Sequence, residues 1–302
     1  MSQRLQMLQV ARLARRTLGE SASLVLAFLE SLAMPDGGYR GRGDRSDLYY
    51  TSFALDALVA LDALPAEGER VGRIRGYLES FGDGAGLDFV HRCCLARAWA
   101  SQPRAAIGAD RRAALLAGVE RQRSADGGFN SRSGAPHGTA YGCFLAVNAR
   151  ADLGESISDA GPEAAAIADC MSRLRSADGG WSNSADQQEG STTATAAAIA
   201  VLRGLGRPVP TGAAEWLLAR RHPAGGFTAA PDAPIPDLLS TAVALHALDA
   251  VEAPWREHRE SMLDFLDTLW TAEGAFHGSW ADDEPDAEYT FYGLVALGHA
   301  SV

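Results

Sequence analysis

The sequence predicts an all-α fold in which helix pairs repeat and close into a ring, an α/α toroid with six inner and six outer helices. Three observations support this prediction. A glycine motif followed by an aromatic residue, as in DGGY, DGGF and DGGW, recurs at intervals of roughly 45 to 50 residues, the length of a helix-pair repeat. An amphipathic segment precedes the motif, and a segment dense in alanine, leucine and aromatic residues follows it.

Each of the six units has the same predicted order of elements, which is outer helix, glycine stop, loop and inner helix. Glycine adopts the left-handed conformation that ends a helix without a Cβ penalty, so the motifs mark the ends of the outer helices. The apolar segments after the motifs predict inner helices near residues 47–62, 88–101, 137–149, 190–205, 237–250 and 287–300.

The ends of the chain bear on whether the ring closes. The last predicted inner helix reaches the C-terminal residues without a polar capping unit, which favours a closed ring over the alternative, an open solenoid. Residues 1–20 predict an additional N-terminal helix outside the ring. We therefore expect residues 1–302 to form a single toroid domain.

Composition excludes several classes of function. The formal net charge of -11 argues against nucleic acid as the main partner. All 27 basic residues are arginine, so Schiff-base chemistry on a lysine is excluded. The four cysteines show no metal or disulfide spacing, and no leader or long apolar run is evident. We expect a reduced, cytoplasmic protein without a transmembrane segment, and the Ala/Arg/Gly bias favours a bacterial source.

In a closed ring of this kind the inner helices run parallel, so their N-termini converge on one rim. Unpaired backbone N–H groups and partial positive charge make such a rim favourable for an anion. The stretch RGRGDRSDLYY, Arg40 to Tyr50, precedes the first inner helix and adds three arginines there. We expect Arg42 and Arg45 to bind an anion, with a solvated loop as the alternative.

The glycine-aromatic repeats and aromatic-rich inner helices resemble the prenyltransferase and squalene-oxidase repeat superfamily, from about residue 22 onward. That group includes protein prenyltransferase β subunits and terpene cyclase β domains. In the first repeat, GGYRGRGDRSDLYYT, the resemblance implies that Arg42 and Arg45 bind a prenyl diphosphate, that Asp47 is a zinc ligand and that Tyr50 belongs to the catalytic set. Asp47 also suits a plain helix N-cap.

The second repeat, DFVHRCC, is similar to the segment around the family's zinc histidine, which implies that His91 is a metal ligand. A buried histidine without a metal is the alternative. Tyr49 stands where the family has its zinc cysteine, so tight zinc is not favoured. The sixth repeat, EYTFYGLVALG, resembles the family segment that precedes the diphosphate site. The fifth repeat, where the family has that site, lacks the diphosphate-binding basic residues. The matching repeats therefore run sixth, first, second, as if the family order were rotated around the ring.

Two further sequence motifs bear on binding of a prenyl diphosphate and on cyclisation of its prenyl chain. Asp282, Asp283 and Asp286 in DDEPD have the D-D-x-x-D spacing that holds Mg²⁺ in class I terpene synthases, although an acidic surface loop is the alternative. The fourth repeat, QQEGSTTATA, lacks the D-x-D-D acid motif of class II cyclases. Protonation by the usual acid is therefore not expected.

Aromatic residues and a histidine near the inner helices complete the expected substrate pocket, with core packing as the alternative. The residues expected to contact substrate besides the arginines are Tyr49, His137, Tyr141, Tyr289 and Tyr292.

The resemblance implies three functions. The leading one is an enzyme that binds an isoprenoid diphosphate in an aromatic funnel and transfers or ionises its prenyl group. A terpene-cyclase-like lyase is the second, and a non-catalytic toroid that binds a lipid or protein is the third. Eukaryotic relatives of the first kind require a helical α-subunit as partner.

Overall fold

The computed structural model describes residues 2–301 and confirms an all-α toroid. The helices that follow the glycine motifs form the inner layer. They are α4 (Leu48–Ala60), α6 (Phe89–Trp99), α8 (Ala140–Asp152), α10 (Thr192–Gly204), α12 (Leu238–Ala250) and α14 (Ala287–Ala300). Each inner helix packs against the next along the chain, and α14 packs against α4, so the ring is closed.

The outer layer consists of shorter or more polar helices that pack against the inner ones. They are α3 (Ala22–Ser31), α5 (Glu69–Ser80), α7 (Ala109–Glu120), α9 (Pro162–Arg173), α11 (Ala213–Leu218) and α13 (Arg259–Leu269). Two short strands, β1 (Phe227–Thr228) and β2 (Pro236–Asp237), pair in front of α12.

The glycine motifs close the outer helices as the sequence predicts. Gly37 has a φ of 95°, and a Cβ there would lie 2.2 Å from the carbonyl oxygen of Arg73, so only glycine fits. The aromatic residue after the glycines is buried, and its backbone N–H donates to a threonine one turn into the inner helix. Tyr39 donates to Thr51 Oγ1 at 2.8 Å, and Phe227 repeats the pattern with Thr241 at 2.9 Å. This hydrogen bond ties the loop to its inner helix in four of the six repeats, and in the third repeat the backbone N–H of Phe129 donates to Cys143 Sγ instead.

All six inner helices within residues 2–301 begin at an Asp, Ser or Thr whose side chain accepts a hydrogen bond from the first helical turn. The third begins at Ala140, three residues later than predicted, because Thr139 is its N-cap. Loops in front of neighbouring inner helices also bond to each other, as from Leu238 N to the carbonyl oxygen of Gly278 at 2.8 Å. The N-termini therefore share one rim.

The prediction of one N-terminal helix outside the ring is corrected. This segment forms two helices, α1 (Gln3–Ala11) and α2 (Ala14–Leu18), and α1 packs against α4, α8 and α14 of the inner layer. Arg4 of α1 is buried and donates from Nε to Asp56 near the C-terminal end of α4, at 2.7 Å. Thus α1 covers the end of the ring opposite the N-terminal rim. In residues 2–301 no helix is long and apolar enough to cross a membrane.

Candidate active site

The inner helices enclose a cavity of about 370 Å³ that is mainly lined by apolar side chains. Its lining includes Gln3, Met7, Tyr49, Arg97, Tyr141, Phe144, Asn183, Thr193, Ile199, Leu239, Val243, His246, Glu288 and Tyr292. A smaller lobe of about 90 Å³ shares several of these residues and extends to Phe53, Cys93, Cys94 and Asp152. Asn183 and Tyr141 are exposed and lie at the mouth on the N-terminal rim, while Met7 of α1 lies at the closed end.

Position along each inner helix decides which side chain enters the cavity. The second helical residue does so in five of the six inner helices of the described chain, for instance Tyr49 in α4 and Tyr141 in α8. The sixth residue follows one turn below, as Tyr292 does in α14. A ninth-residue layer near the closed end carries polar groups, including Arg97 and His246.

Three of the tyrosines expected to contact substrate, Tyr49, Tyr141 and Tyr292, line the cavity with Phe144. Their rings supply the negative π faces that attract a positive charge. The other two expected contacts, His137 and Tyr289, lie elsewhere, as does Tyr50, which was expected in the catalytic set. Tyr50 packs over Gly41, Tyr289 over Gly278, and the exposed His137 side chain lies 3.7 Å from Asp126, and none of them lines the cavity.

Glu288, the second residue of α14, is the carboxyl group that lines the main chamber among the described residues. The hydroxyl of Tyr49 donates to its Oε1 at 2.6 Å. Burial raises the pKa of Glu288 to about 7, against the opposing effect of the Tyr49 hydrogen bond. A substantial fraction of Glu288 is therefore a neutral acid near pH 7, held in contact with the cavity.

An ionic cluster lies beneath the aromatic wall. Asp56 is fully buried and accepts from Arg97 Nε at 2.6 Å and from Arg4 Nε at 2.7 Å. The guanidinium of Arg97 also lies 4.2 Å from the ring centre of Phe53. Because Asp56 engages both arginines, neither is unpaired, but the cluster of two guanidinium groups and one carboxylate keeps a net positive charge. In the smaller lobe, burial raises the pKa of Asp152 to about 7.

The expected diphosphate pair is not assembled. Arg42 donates to both carboxylate oxygens of Asp282, at 3.1 and 2.7 Å, and to Asp286 Oδ2 at 3.2 Å. These bonds join the first loop to the last and seal the ring at the rim. The Arg45 side chain is 94% exposed and approaches only Asp44, at 3.9 Å. Arg42 therefore forms structural ion pairs with Asp282 and Asp286, and Arg45 is a solvated loop residue.

The metal sets suggested by the sequence do not come together either. Asp47 caps α4, its Oδ1 accepting from the backbone of Tyr49 at 2.7 Å, and His91 Nδ1 lies 2.9 Å from Asp88 Oδ2. Asp282 and Asp286 are bonded to Arg42, whose hydrogen bonds lower the pKa of Asp282, and Asp283 is exposed. Across residues 2–301 no three His, Cys, Asp or Glu side chains are grouped as a metal site. The residues present do not fit the implied Zn²⁺ or Mg²⁺.

The prominent cavity groups that sequence reasoning missed are Glu288, Arg97 and His246. A usable signal exists for Glu288. It occupies the same second helical position as Tyr49 and Tyr141, both of which the sequence placed in the pocket, and it lies two residues after the N-cap Asp286. Alignment of the six inner helices on their caps would have selected it.

Comparisons with known proteins agree with this architecture. The family model described as "Prenyltransferase alpha-alpha toroid domain" matches residues 2–87, 132–211 and 208–300. No curated protein matches the chain significantly in sequence.

Solved structures share the fold at low identity. The type II terpene cyclase MstE from Scytonema, in complex with its substrate geranylgeranyl dihydroxybenzoate, is 13% identical with a TM-score of 0.63, over 95% of this chain and 97% of the other. Candida albicans protein geranylgeranyltransferase-I complexed with GGPP is 13% identical with a TM-score of 0.69, over 91% and 90%. A protein from Actinoplanes is 15% identical with a TM-score of 0.63, over 94% and 99%.

Proposed function

Because the chain belongs to the prenyltransferase alpha-alpha toroid domain family, we propose that it binds an isoprenoid chain in its central cavity and starts a cyclisation by protonating it from Glu288. The observation that carries this proposal is a partly buried carboxyl group whose pKa is about 7 and which lines a mainly apolar, aromatic cavity. The cyclase, which the sequence ranks second, is thus the function that the geometry favours.

The substrate class is supported by the shape and lining of the cavity. Aliphatic side chains from α10 and α12 face the aromatic wall of Tyr49, Tyr141 and Tyr292, an arrangement that suits a flexible hydrocarbon. Two of the three similar structures named above were solved with geranylgeranyl dihydroxybenzoate and with GGPP. A geranylgeranyl chain, with its terminal isoprene unit beside Glu288, is therefore the substrate that we propose.

The reaction follows from the groups in the cavity. Neutral Glu288 transfers its proton to a terminal alkene carbon, and the alkene's electron pair forms the new C–H bond, which leaves a tertiary carbocation. A second double bond of the same chain attacks this cation and closes a ring. The π faces of Tyr141 and Tyr292 stabilise the positive charge as it moves. Loss of a proton from carbon ends the sequence, and solvent at the mouth restores the proton of Glu288.

Ionisation of a prenyl diphosphate has less support. It requires several cationic or metal groups around the leaving diphosphate. The rim arginine Arg42 is bonded to Asp282 and Asp286, and the cavity arginine Arg97 is bonded to Asp56. A single cavity arginine that shares Asp56 with Arg4 does not supply the several cationic or metal groups that a leaving diphosphate needs, whereas Glu288 meets the main requirement of an acid-initiated reaction.

The direct test compares the parent with Glu288→Gln, using geranylgeranyl diphosphate and a geranylgeranyl-substituted dihydroxybenzoate as probes. We expect the parent to form a cyclic isomer and Glu288→Gln to bind the probe but to turn over at least about 100-fold more slowly, the usual contribution of a general acid. Glu284→Gln is the matched control, because Glu284 is exposed on the preceding loop. Pyrophosphate release without an isomeric product would favour ionisation, and binding without turnover by the parent would favour a non-catalytic toroid.

A further inference from the structure

Two histidines and an aspartate form a hydrogen-bonded chain that ends at the cavity wall. His246 of α12 lines the cavity, and its Nδ1 lies 3.0 Å from Nε2 of His299 in α14. His299 Nδ1 lies 2.6 Å from Asp249 Oδ2. Both imidazoles are buried, with His246 7% and His299 2% exposed, so neither ring exchanges its partners with bulk water.

The hydrogen-bond chemistry fixes the protons of this chain. Although burial opposes it, the hydrogen bonds from His299 and Trp255 lower the pKa of Asp249, so its carboxylate only accepts. When both imidazoles are neutral, His299 carries its proton on Nδ1 and accepts at Nε2. His246 in turn must donate from Nδ1, and its Nε2 is left with a free lone pair.

That lone pair has no other use in the structure. Within residues 2–301, His246 Nε2 is buried and has no hydrogen-bond partner. A buried polar atom left unpaired costs about 1–3 kcal/mol, which a purely structural histidine pair would avoid. Burial also lowers the pKa of His246 to about 3, so the ring is neutral at pH 7. His246 is thus held in the form that can accept a proton or a hydrogen bond, and because Nε2 lies just below the cavity surface, the ring has to shift slightly to meet a bound chain.

We propose that His246 Nε2 is the base that removes the proton ending the cyclisation, and that His299 and Asp249 carry that proton away from the cavity. This inference rests on the function proposed above. A C–H bond next to the final carbocation breaks, its electron pair forms the product double bond, and the proton goes to His246 Nε2. The Nδ1 proton of His246 then passes to His299 Nε2, which places an imidazolium against the Asp249 carboxylate.

The relay can hold this charge because its outer end is polar. Asp249 also accepts from Trp255 Nε1 at 2.7 Å and lies 3.0 Å from Arg256 Nη1. Its side chain is 20% exposed, so a proton can leave to solvent there. His246 and His299 hold no comparable contact with water, and without Asp249 an imidazolium would be buried among apolar groups at high cost.

The placement of donor and acceptor agrees with a reaction that proceeds along the cavity. Glu288 and Leu239 are the second residues of neighbouring helices, and both line the chamber near the mouth. His246 follows Leu239 by seven residues in α12, which at 1.5 Å per residue places it roughly 10 Å deeper along the axis. The cation therefore starts beside the acid and ends beside the base, and the product leaves with no net change in protons.

The first experiment measures products of His246→Gln, with His258→Gln as control because His258 lies on the outside and does not line the cavity. We expect His246→Gln to consume substrate within about fivefold of the parent but to replace the single alkene by alkene isomers and water-quenched alcohols. Asp249→Asn, which removes the charge balancing the imidazolium, should shift the products in the same direction. An unchanged product from both variants would overturn the role of His246.

The second experiment is independent of turnover. Nitrogen NMR of ¹⁵N-histidine-labelled protein should show protons on Nδ1 of both His246 and His299 and an unprotonated Nε2 on His246. A proton on His246 Nε2 would overturn the relay even if the enzyme cyclises its substrate. Absence of any turnover by the parent would instead overturn the proposed function, and the assignment of a base with it, while leaving the NMR result to describe the hydrogen bonds alone.

Discussion

The hydrogen bond from Tyr49 to Glu288 offers a graded perturbation of the proposed acid. Tyr49→Phe removes the hydroxyl that donates to Glu288 Oε1 at 2.6 Å and keeps the ring in the cavity wall. That hydrogen bond stabilises the carboxylate, so its loss raises the pKa of Glu288 above its value of about 7. A hydrogen bond to a charged group contributes about 1.5–3 kcal/mol, and one pKa unit corresponds to 1.36 kcal/mol, so the shift is about one to two units.

The measurable consequence is a displaced pH profile. In the parent, Glu288 is about nine-tenths protonated at pH 6 and about one-tenth at pH 8, since its pKa is about 7, so the rate falls roughly tenfold per pH unit above neutrality. In Tyr49→Phe the descending limb should move to about pH 8–9. The maximal rate should fall, because a weaker acid protonates an alkene more slowly.

The assay is kcat as a function of pH with the geranylgeranyl probe, from pH 5 to 9.5. Two controls isolate the effect. Tyr77→Phe removes a hydroxyl from an outer helix, and Asp152→Asn removes the other cavity carboxyl group whose pKa is about 7. Neither should move the limb. A limb that stays in place in Tyr49→Phe, or that moves in Asp152→Asn instead, would refute the assignment of Glu288.

Two further predictions concern the arginines. Asp56→Asn should lower the free energy of unfolding by about 3–5 kcal/mol, measured by denaturant titration, because it leaves Arg4 and Arg97 buried without their counter-charge; an unchanged unfolding midpoint would contradict this. Arg45→Ala should leave affinity for geranylgeranyl diphosphate within about twofold by isothermal titration, since the side chain is 94% exposed, and a tenfold loss would restore the anion site expected from the sequence.

Much of the fold follows from local signals. The glycine motifs end the outer helices, and Asp, Ser or Thr caps open the inner ones. The number and order of the ring helices could therefore be predicted, with the starts of the inner helices placed within a few residues. The N-terminal segment could not be placed, because the contacts that draw α1 into the ring are distant in sequence. Arg4 bonds to Asp56, which is 52 residues away, and Met7 and Leu8 are buried in the core of the ring.

The candidate site was predictable only in part for a similar reason. Residue type and position along the inner helices located Tyr49, Tyr141 and Tyr292, because helical periodicity is a local property. The state of Arg42 depends on ring closure, since Asp282 is 240 residues away in the chain. In the closed ring, Arg42 forms an ion pair with the acidic loop. The sequence alone allowed a different arrangement, in which the arginine and the acidic loop both bind a diphosphate.

Solvent deuterium separates the central claim from its alternatives most directly. When the parent converts the geranylgeranyl probe in D₂O, proton transfer from Glu288 to carbon must leave one deuterium in the cyclised product, because the carboxyl proton is renewed from solvent at the cavity mouth. Mass spectrometry of the product should therefore show a gain of one mass unit, and Glu288→Gln should give almost no such product. A cyclised product of the parent that contains no deuterium would contradict the account. So would Glu288→Gln if it formed the deuterium-labelled product as fast as the parent.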